Sequence, residues 1–194
     1  MTVAAESQSA SELDPGLEGA LDHFARLGLE RGWRIDRDAL EDNYLARSRS
    51  DHPDRHAGAD ARTRRVALER SAANNEAYRV LRDPVRRAEY LVKLGGIDLD
   101  SSDPQTGAPH PEQSFLIEMI ERRDRLEELT TGGEDALAEL RDEVDEELDA
   151  VFATAVDALD GGDTQAAAAA LVQRRYLQRF LDEIDAAIDS PNQP

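Results

Sequence analysis

The sequence predicts an all-α fold in two parts. An N-terminal helical hairpin with a His-Pro-Asp loop is linked to a C-terminal antiparallel three-helix bundle. Three observations carry this. Apolar residues recur at spacings of three and four, and no segment alternates convincingly with period two. Glycine pairs and one proline-rich stretch divide the periodic runs. With 34% charged and only 5% aromatic residues, the composition suits helices with charged outer faces around an aliphatic, alanine-rich core. A chain of 194 residues is long enough for one sizeable domain or two small ones.

In chain order, residues 1–15 read as a disordered tail. They hold acids, small residues and no cation, so neither a secretory signal nor a transit peptide is expected. A short helix is predicted from about Leu17 to Leu27, with Leu17, Leu21, Phe24 and Leu27 on one face. A second begins near Asp36 and carries Leu40, Tyr44 and, less clearly, Leu45 inward. Pro53 stops it, because proline disfavours helix in the residue before it. A long third helix spans Ala61 to Arg82, with Val66, Ala73, Ala77, Val80 and Leu81 inward. Asp83-Pro84 pairs a cap with a proline at the first helical position. The fourth helix holds Val85, Ala88, Leu91 and Leu94 and ends at Gly95-Gly96. Residues 98–111 contain three prolines and a glycine and read as a linker between parts at 16–97 and 112–189. Three helices follow, at about 112–130, 134–159 and 164–188. Short Gly132-Gly133 and Gly161-Gly162 connections imply an antiparallel bundle. Residues 190–194 read as a second tail.

The formal charge is −19, unevenly spread. Residues 1–16 carry −3, residues 17–100 balance 16 basic against 16 acidic side chains, and residues 101–194 carry −16. Such a balance disfavours nucleic acid and anionic membrane as partners, since both need a basic footprint. The longest apolar run, Ala166 to Val172, is far too short to span a bilayer. A cytoplasmic protein is expected. No cysteine is present, which rules out disulfides, a thiolate nucleophile and any metal or cluster site held by the chain's own thiolates.

Against that acidic background, residues 47–65 carry six arginines and three aspartates, a local +3. Within this stretch lies His52-Pro53-Asp54, a polar turn between two helices. A Pro-Asp pair alone is an ordinary turn. Beside a basic ridge, an exposed loop of this kind suits docking onto an acidic protein surface.

The layout of short helix, helix, His-Pro-Asp, long helix and fourth helix resembles a J domain, the module that engages DnaK-type ATPase chaperones. Asn74 to Pro84, then Arg86-Arg87-Ala88-Glu89-Tyr90-Leu91, resemble the third and fourth helices of the HscB class. Leu21 to Leu29 resembles its first helix. HscB proteins are J-type co-chaperones of iron–sulfur cluster assembly. The likeness runs from about Leu21 to Ile188. It implies that His52, Pro53 and Asp54 contact an HscA/DnaK-type chaperone and stimulate its ATPase, with Arg47, Arg49 and Arg55 as the basic surface beside them. Arg55 stands where lysine is usual. Asp51 stands where an aromatic residue commonly precedes the motif, and an acid there is expected to weaken docking.

In the first bundle helix, Leu116, Ile117 and Ile120 lie at helical spacings, and Glu121, Asp124 and Glu128 continue along the surface. Periodicity alone favours a core face for the apolar set and plain solvation for the acids. Alternatively Phe115, Met119, Leu126 and Leu129 supply the core and leave the first set partly exposed. The resemblance implies this second arrangement. Leu116, Ile117, Ile120, Glu121, Asp124 and Glu128 would then bind the scaffold protein IscU, completed by Tyr176 of the last helix in place of phenylalanine.

Other chemistry finds little footing. His52 and His56 have zinc-helix spacing, but Pro53 interrupts it, and the glutamate of H-E-x-x-H is missing. No nucleophile elbow or phosphate-binding glycine loop occurs. The reading is a non-enzymatic adaptor without a cofactor, the cluster belonging to the scaffold. A general J-type co-chaperone for unfolded clients is the alternative.

Overall fold

The computed structural model describes residues 21–56, 58–130 and 134–189. Leu17, both predicted tails and the Gly132-Gly133 connection lie outside them. Seven α-helices occur among the described residues: α1 His23–Arg26, α2 Arg37–Ser50, α3 Ala61–Arg82, α4 Pro84–Leu94, α5 Gln113–Thr130, α6 Glu134–Asp160 and α7 Thr164–Asp189. A single 3-10 turn, Pro53–His56, lies between α2 and α3. No strand forms among the described residues beyond one isolated bridge, Asp98 to Gly107. The chain divides into two compact units, residues 1–84 and 85–194.

In the first unit, aspartates start three helices. Asp22 accepts from Ala25 N–H at 2.8 Å, Asp36 from Asp38 and Ala39, and Asp60 from Thr63 at 2.9 Å. Each satisfies donors that a first helical turn leaves unpaired. The Thr63 N–H and hydroxyl hold the Asp60 carboxyl below the usual carboxylate range. Both α1 and α2 pack on α3, as does the 3-10 turn. Phe24, Leu27, Leu40, Ala77 and Leu81 are all at most 2% exposed and form this core. Towards the start of α3 it is Ala67 that is buried, at 4% exposure, while Val66 is only half-buried. One residue is 100° of helix, and the small methyl of Ala67 faces the packed elements. Leu45 is 38% exposed and turns to solvent beside Tyr44.

Asp83 is extended (φ −82°, ψ 121°), as a residue before proline must be, so α3 stops and α4 starts at Pro84. In α4, Ala88 and Val92 are completely buried; Val85, Leu91 and Leu94 are half-buried. Gly96 (φ +95°) and Gly162 (φ +77°) adopt the left-handed conformation that ends α4 and α6.

Residues 98–111 fall within the second unit as a hydrogen-bonded turn. Asp98 N–H donates to Thr106 O at 2.7 Å, and Ala108 N–H to Ser101 O. Arg175 of α7 binds Glu89 of α4 at 2.7 Å, the Leu99 carbonyl at 3.0 Å and Asp100 at 2.9 Å. One guanidinium therefore ties the helix and the turn together.

The bundle core is Met119 and Leu126 of α5, Leu137, Leu140, Val144 and Leu148 of α6, and Leu177, Phe180, Leu181 and Ile184 of α7. Cations are few in this acidic half, and several stand at helix seams. Arg122 bridges α5 to Glu147 of α6, Arg123 bridges α5 to Glu183 of α7, and Arg125 reaches Glu143 of α6. Arg141 joins α6 to Asp185 of α7.

Residues 101–194 still carry −16, so self-repulsion opposes their compact state. Screening relieves that repulsion more than it weakens the close seam pairs. Raising NaCl from about 0.01 M to about 1 M shortens the Debye length from about 30 Å to about 3 Å. Calorimetry should then show Tm rising by several degrees; a Tm that is flat or falls contradicts this balance.

Candidate partner-binding sites

The loop of the first unit begins where α2 ends. Asp51 caps α2 through its own N–H to Arg47 O at 2.9 Å, while its carboxylate accepts from the Asn74 amide of α3 at 2.8 Å. Asn74 is 2% exposed, so Asp51 satisfies a buried polar group. Asp51 is thus a structural tie at the base of the loop. Nearby, the Tyr44 hydroxyl donates to Asn75 at 3.0 Å and its ring stacks on Tyr78, centroids 4.1 Å apart.

Beyond that tie the chain turns sharply. Pro53 opens the 3-10 turn, and Arg55 N–H donates to His52 O at 3.0 Å. The Asp54 N–H donates to His52 Nδ1 at 3.2 Å, which leaves the neutral ring's proton on Nε2. The His52 side chain is 55% exposed and that of Asp54 91%. Arg49 and Arg55 are exposed and Arg47 is half-buried. On α3, Arg62, Arg64 and Arg65 are exposed, Arg65 lying 3.5 Å from Glu69. A solvent-facing imidazole and carboxylate therefore stand among cations on α2, the turn and α3.

In the second unit the orientation of α5 decides the surface. Met119 (1% exposed) and Leu126 (8%) point into the core, with Phe115 and Leu129 packed against it. Leu116 (36%), Ile117 (49%) and Ile120 (59%) are consequently exposed. The core face favoured by periodicity alone is therefore not the one used. Glu121, Asp124 and Glu128 are exposed beside the apolar set. Tyr176 is half-buried and meets Phe115 edge-on, centroids 5.9 Å apart at 87°. Phe115 immediately precedes Leu116, so Tyr176 flanks the apolar set at its N-terminal end, and Leu116, Ile120 and Arg123 share one stripe of α5.

Arg123 was not picked out by sequence. It is held in a two-pronged pair by Glu183, at 2.9 and 3.0 Å, which raises its pKa further. The pair fixes α5 against α7 at the patch. Asn74 also escaped notice, although its register with Ala67 and Ala77 marks an inward position. A groove of about 310 Å³ beside the patch has Glu118, Glu121, Arg122 and Glu143 in its lining, and the ion pairs of Arg122 and Arg125 form part of its wall.

No group of three His, Asp or Glu gathers to hold a metal among the described residues. None of the described helices is long and apolar enough to cross a membrane.

The family model for the HSCB C-terminal oligomerisation domain matches residues 111–185. A co-chaperone protein HscB homolog of Cupriavidus taiwanensis is 38% identical over 173 residues, covering 87% of this chain and 94% of that protein. This chain belongs to the HscB co-chaperone family. A second relative, from Bordetella avium, is 36% identical over 166 residues, 85% of this chain and 96% of its own. HscB of Vibrio cholerae superposes with a TM-score of 0.71 at 29% identity, covering 87% of this chain and 98% of that one. Human HscB gives 0.71 at 26% identity, covering 86% and 81%. The HscB architecture, a J domain followed by a helical bundle, is that of this chain.

The loop-base tie is testable. Asp51→Ala leaves the buried Asn74 amide without its acceptor and should lower unfolding free energy by about 1–3 kcal/mol. Asp51→Asn keeps an acceptor oxygen and should lower it much less. Urea unfolding of both variants checks this; equal, small losses contradict the tie.

Proposed function

We propose that this HscB-family protein carries an IscU-type iron–sulfur scaffold to an HscA/DnaK-type chaperone and stimulates that chaperone's ATPase. The chaperone-facing module spans residues 16–97, and the scaffold-facing bundle spans 112–189. Family membership supports an Hsp70-type partner. The observation that carries the scaffold half of this reading is the exposed apolar trio on α5, bordered by acids and flanked by Tyr176.

The two surfaces differ in chemistry. His52, Pro53 and Asp54, with Arg47, Arg49 and Arg55, offer charge and hydrogen bonds. They suit an acidic ATPase surface approached under electrostatic steering. Leu116, Ile117, Ile120 and Tyr176 offer short-range burial, and Glu121, Asp124 and Glu128 give a polar acidic rim that selects a partner with basic residues around an apolar spot. Holding scaffold and chaperone on one chain raises the effective concentration of each for the other. No resident cofactor is needed; the iron–sulfur cluster is the scaffold's cargo. The protein acts by binding rather than by turnover of its own, in the cytoplasm, without nucleic acid or membrane as partner.

Titration with purified IscU tests the scaffold half. Central apolar anchors commonly cost about 1–2 kcal/mol or more when truncated, so Ile120→Ala and Tyr176→Ala should each weaken binding about tenfold or more. No binding by the intact protein refutes this half and favours a general J-type co-chaperone. A steady-state ATPase assay tests the other: His52→Gln should abolish stimulation while IscU affinity stays unchanged. Loss of both contradicts independent surfaces.

A further inference from the structure

Two large apolar side chains outside the α5 patch are also exposed. Leu45 of α2 is 38% exposed, and Leu68 of α3, at 59%, is as open as Ile120. Scattered surface leucines are ordinary, so placement and surroundings must decide whether Leu68 means anything.

Leu68 stands one helical turn beyond Arg64 and Arg65, both exposed. Its neighbour Ala67 is buried at 4% exposure, so Leu68 cannot turn inward without driving Ala67 out. Seven residues further on is Asn75, the acceptor of the Tyr44 hydroxyl from α2. Seven steps of 100° return a helix to within about 20° of its starting direction. Leu68 therefore lies on the stripe of α3 that borders α2, two turns nearer the loop than Asn75. The base of the His-Pro-Asp loop is tied to the same stretch of α3 through Asp51 and Asn74, and the 3-10 turn packs on α3. An apolar spot thus adjoins the loop, edged by cations on its own helix.

We infer that Leu68 is an apolar anchor of the chaperone-docking face. Its occupant is a partly apolar, acidic surface of the ATPase chaperone. Charge complementarity selects this occupant: a leucine with Arg64 and Arg65 one turn before it, Arg65 in part paired with Glu69, matches an apolar contact with carboxylates on one side. Continuity with the loop points to the same partner. The inference rests on the reading that the loop docks on that chaperone. It divides the labour on this face: the arginines act at long range and are weakened by salt, while Leu68 acts only on contact and is not.

The test is ATPase stimulation of the chaperone, measured against concentration of the full chain at two salt concentrations. Leu68→Gln keeps a good helix former at an exposed site, so the fold is retained. The concentration for half-maximal stimulation should rise about tenfold, as for a central contact residue, with unchanged maximal stimulation and unchanged salt dependence. Arg64→Gln should instead flatten the salt dependence. Stimulation by Leu68→Gln at the unaltered concentration overturns this inference alone. Absence of stimulation by the unaltered chain overturns the docking reading and this inference with it. If light scattering shows that the unaltered chain self-associates through Leu68 while the stimulation curve ignores the substitution, the face belongs to a second copy and the inference fails.

Discussion

The rotation of α5 about its own axis is the constraint on which the second surface depends. Met119 and Leu126 bury themselves against Leu140, Val144, Leu177 and Phe180, and a helix can present only one face to such a core. Once that face is set, Ile120, about 100° from Met119 round the helix, and Ile117, about 160° from it, have to meet solvent. The Arg123 pair with Glu183 holds the same orientation from outside, about two turns beyond the point where Tyr176 meets Phe115. The exposed isoleucines beside a ring and three acids form the apolar surface on which the proposed scaffold contact rests.

The hairpin of the first unit is organised by side-chain hydrogen bonds as much as by its small core. Asp51 reaches across to buried Asn74, and Tyr44 to Asn75, so two adjacent residues of α3 receive the end and the middle of α2. The turn that follows leaves His52 and Asp54 in solvent while fixing their backbones. Charge separates the two halves of the sequence. A balanced N-terminal part concentrates its cations around the loop, and the acidic bundle keeps several of its few arginines for seams between helices.

Much of this was legible in the residues. Capping aspartates, Pro53, Pro84 and the glycine pairs place the ends of α2 to α7 to within a residue or two, because they act locally; α1 is the exception, a single turn that starts only at His23, after the Asp22 cap, where a helix from Leu17 was expected. The choice between two apolar faces of α5 was not legible from spacing, since both satisfy helical periodicity and only packing against α6 and α7 distinguishes them. Asp51 was read as a foreign charge before the loop, whereas its partner Asn74 lies 23 residues away and becomes visible only in three dimensions. The same holds for Arg123 and Glu183, separated by 60 residues. Leu68 went unnoticed because an apolar residue in a helix is taken for core by default, and the inward place next to it belongs to Ala67.

Hydrogen–deuterium exchange of the full chain, alone, with IscU, and with the ATP-bound chaperone, tests the two-surface account most directly. It predicts that IscU protects α5 and the Tyr176 region of α7 and leaves residues 47–65 unchanged, while the chaperone protects residues 47–68 and leaves α5 unchanged. Protection of both regions by either partner alone, or of neither by IscU, would contradict it.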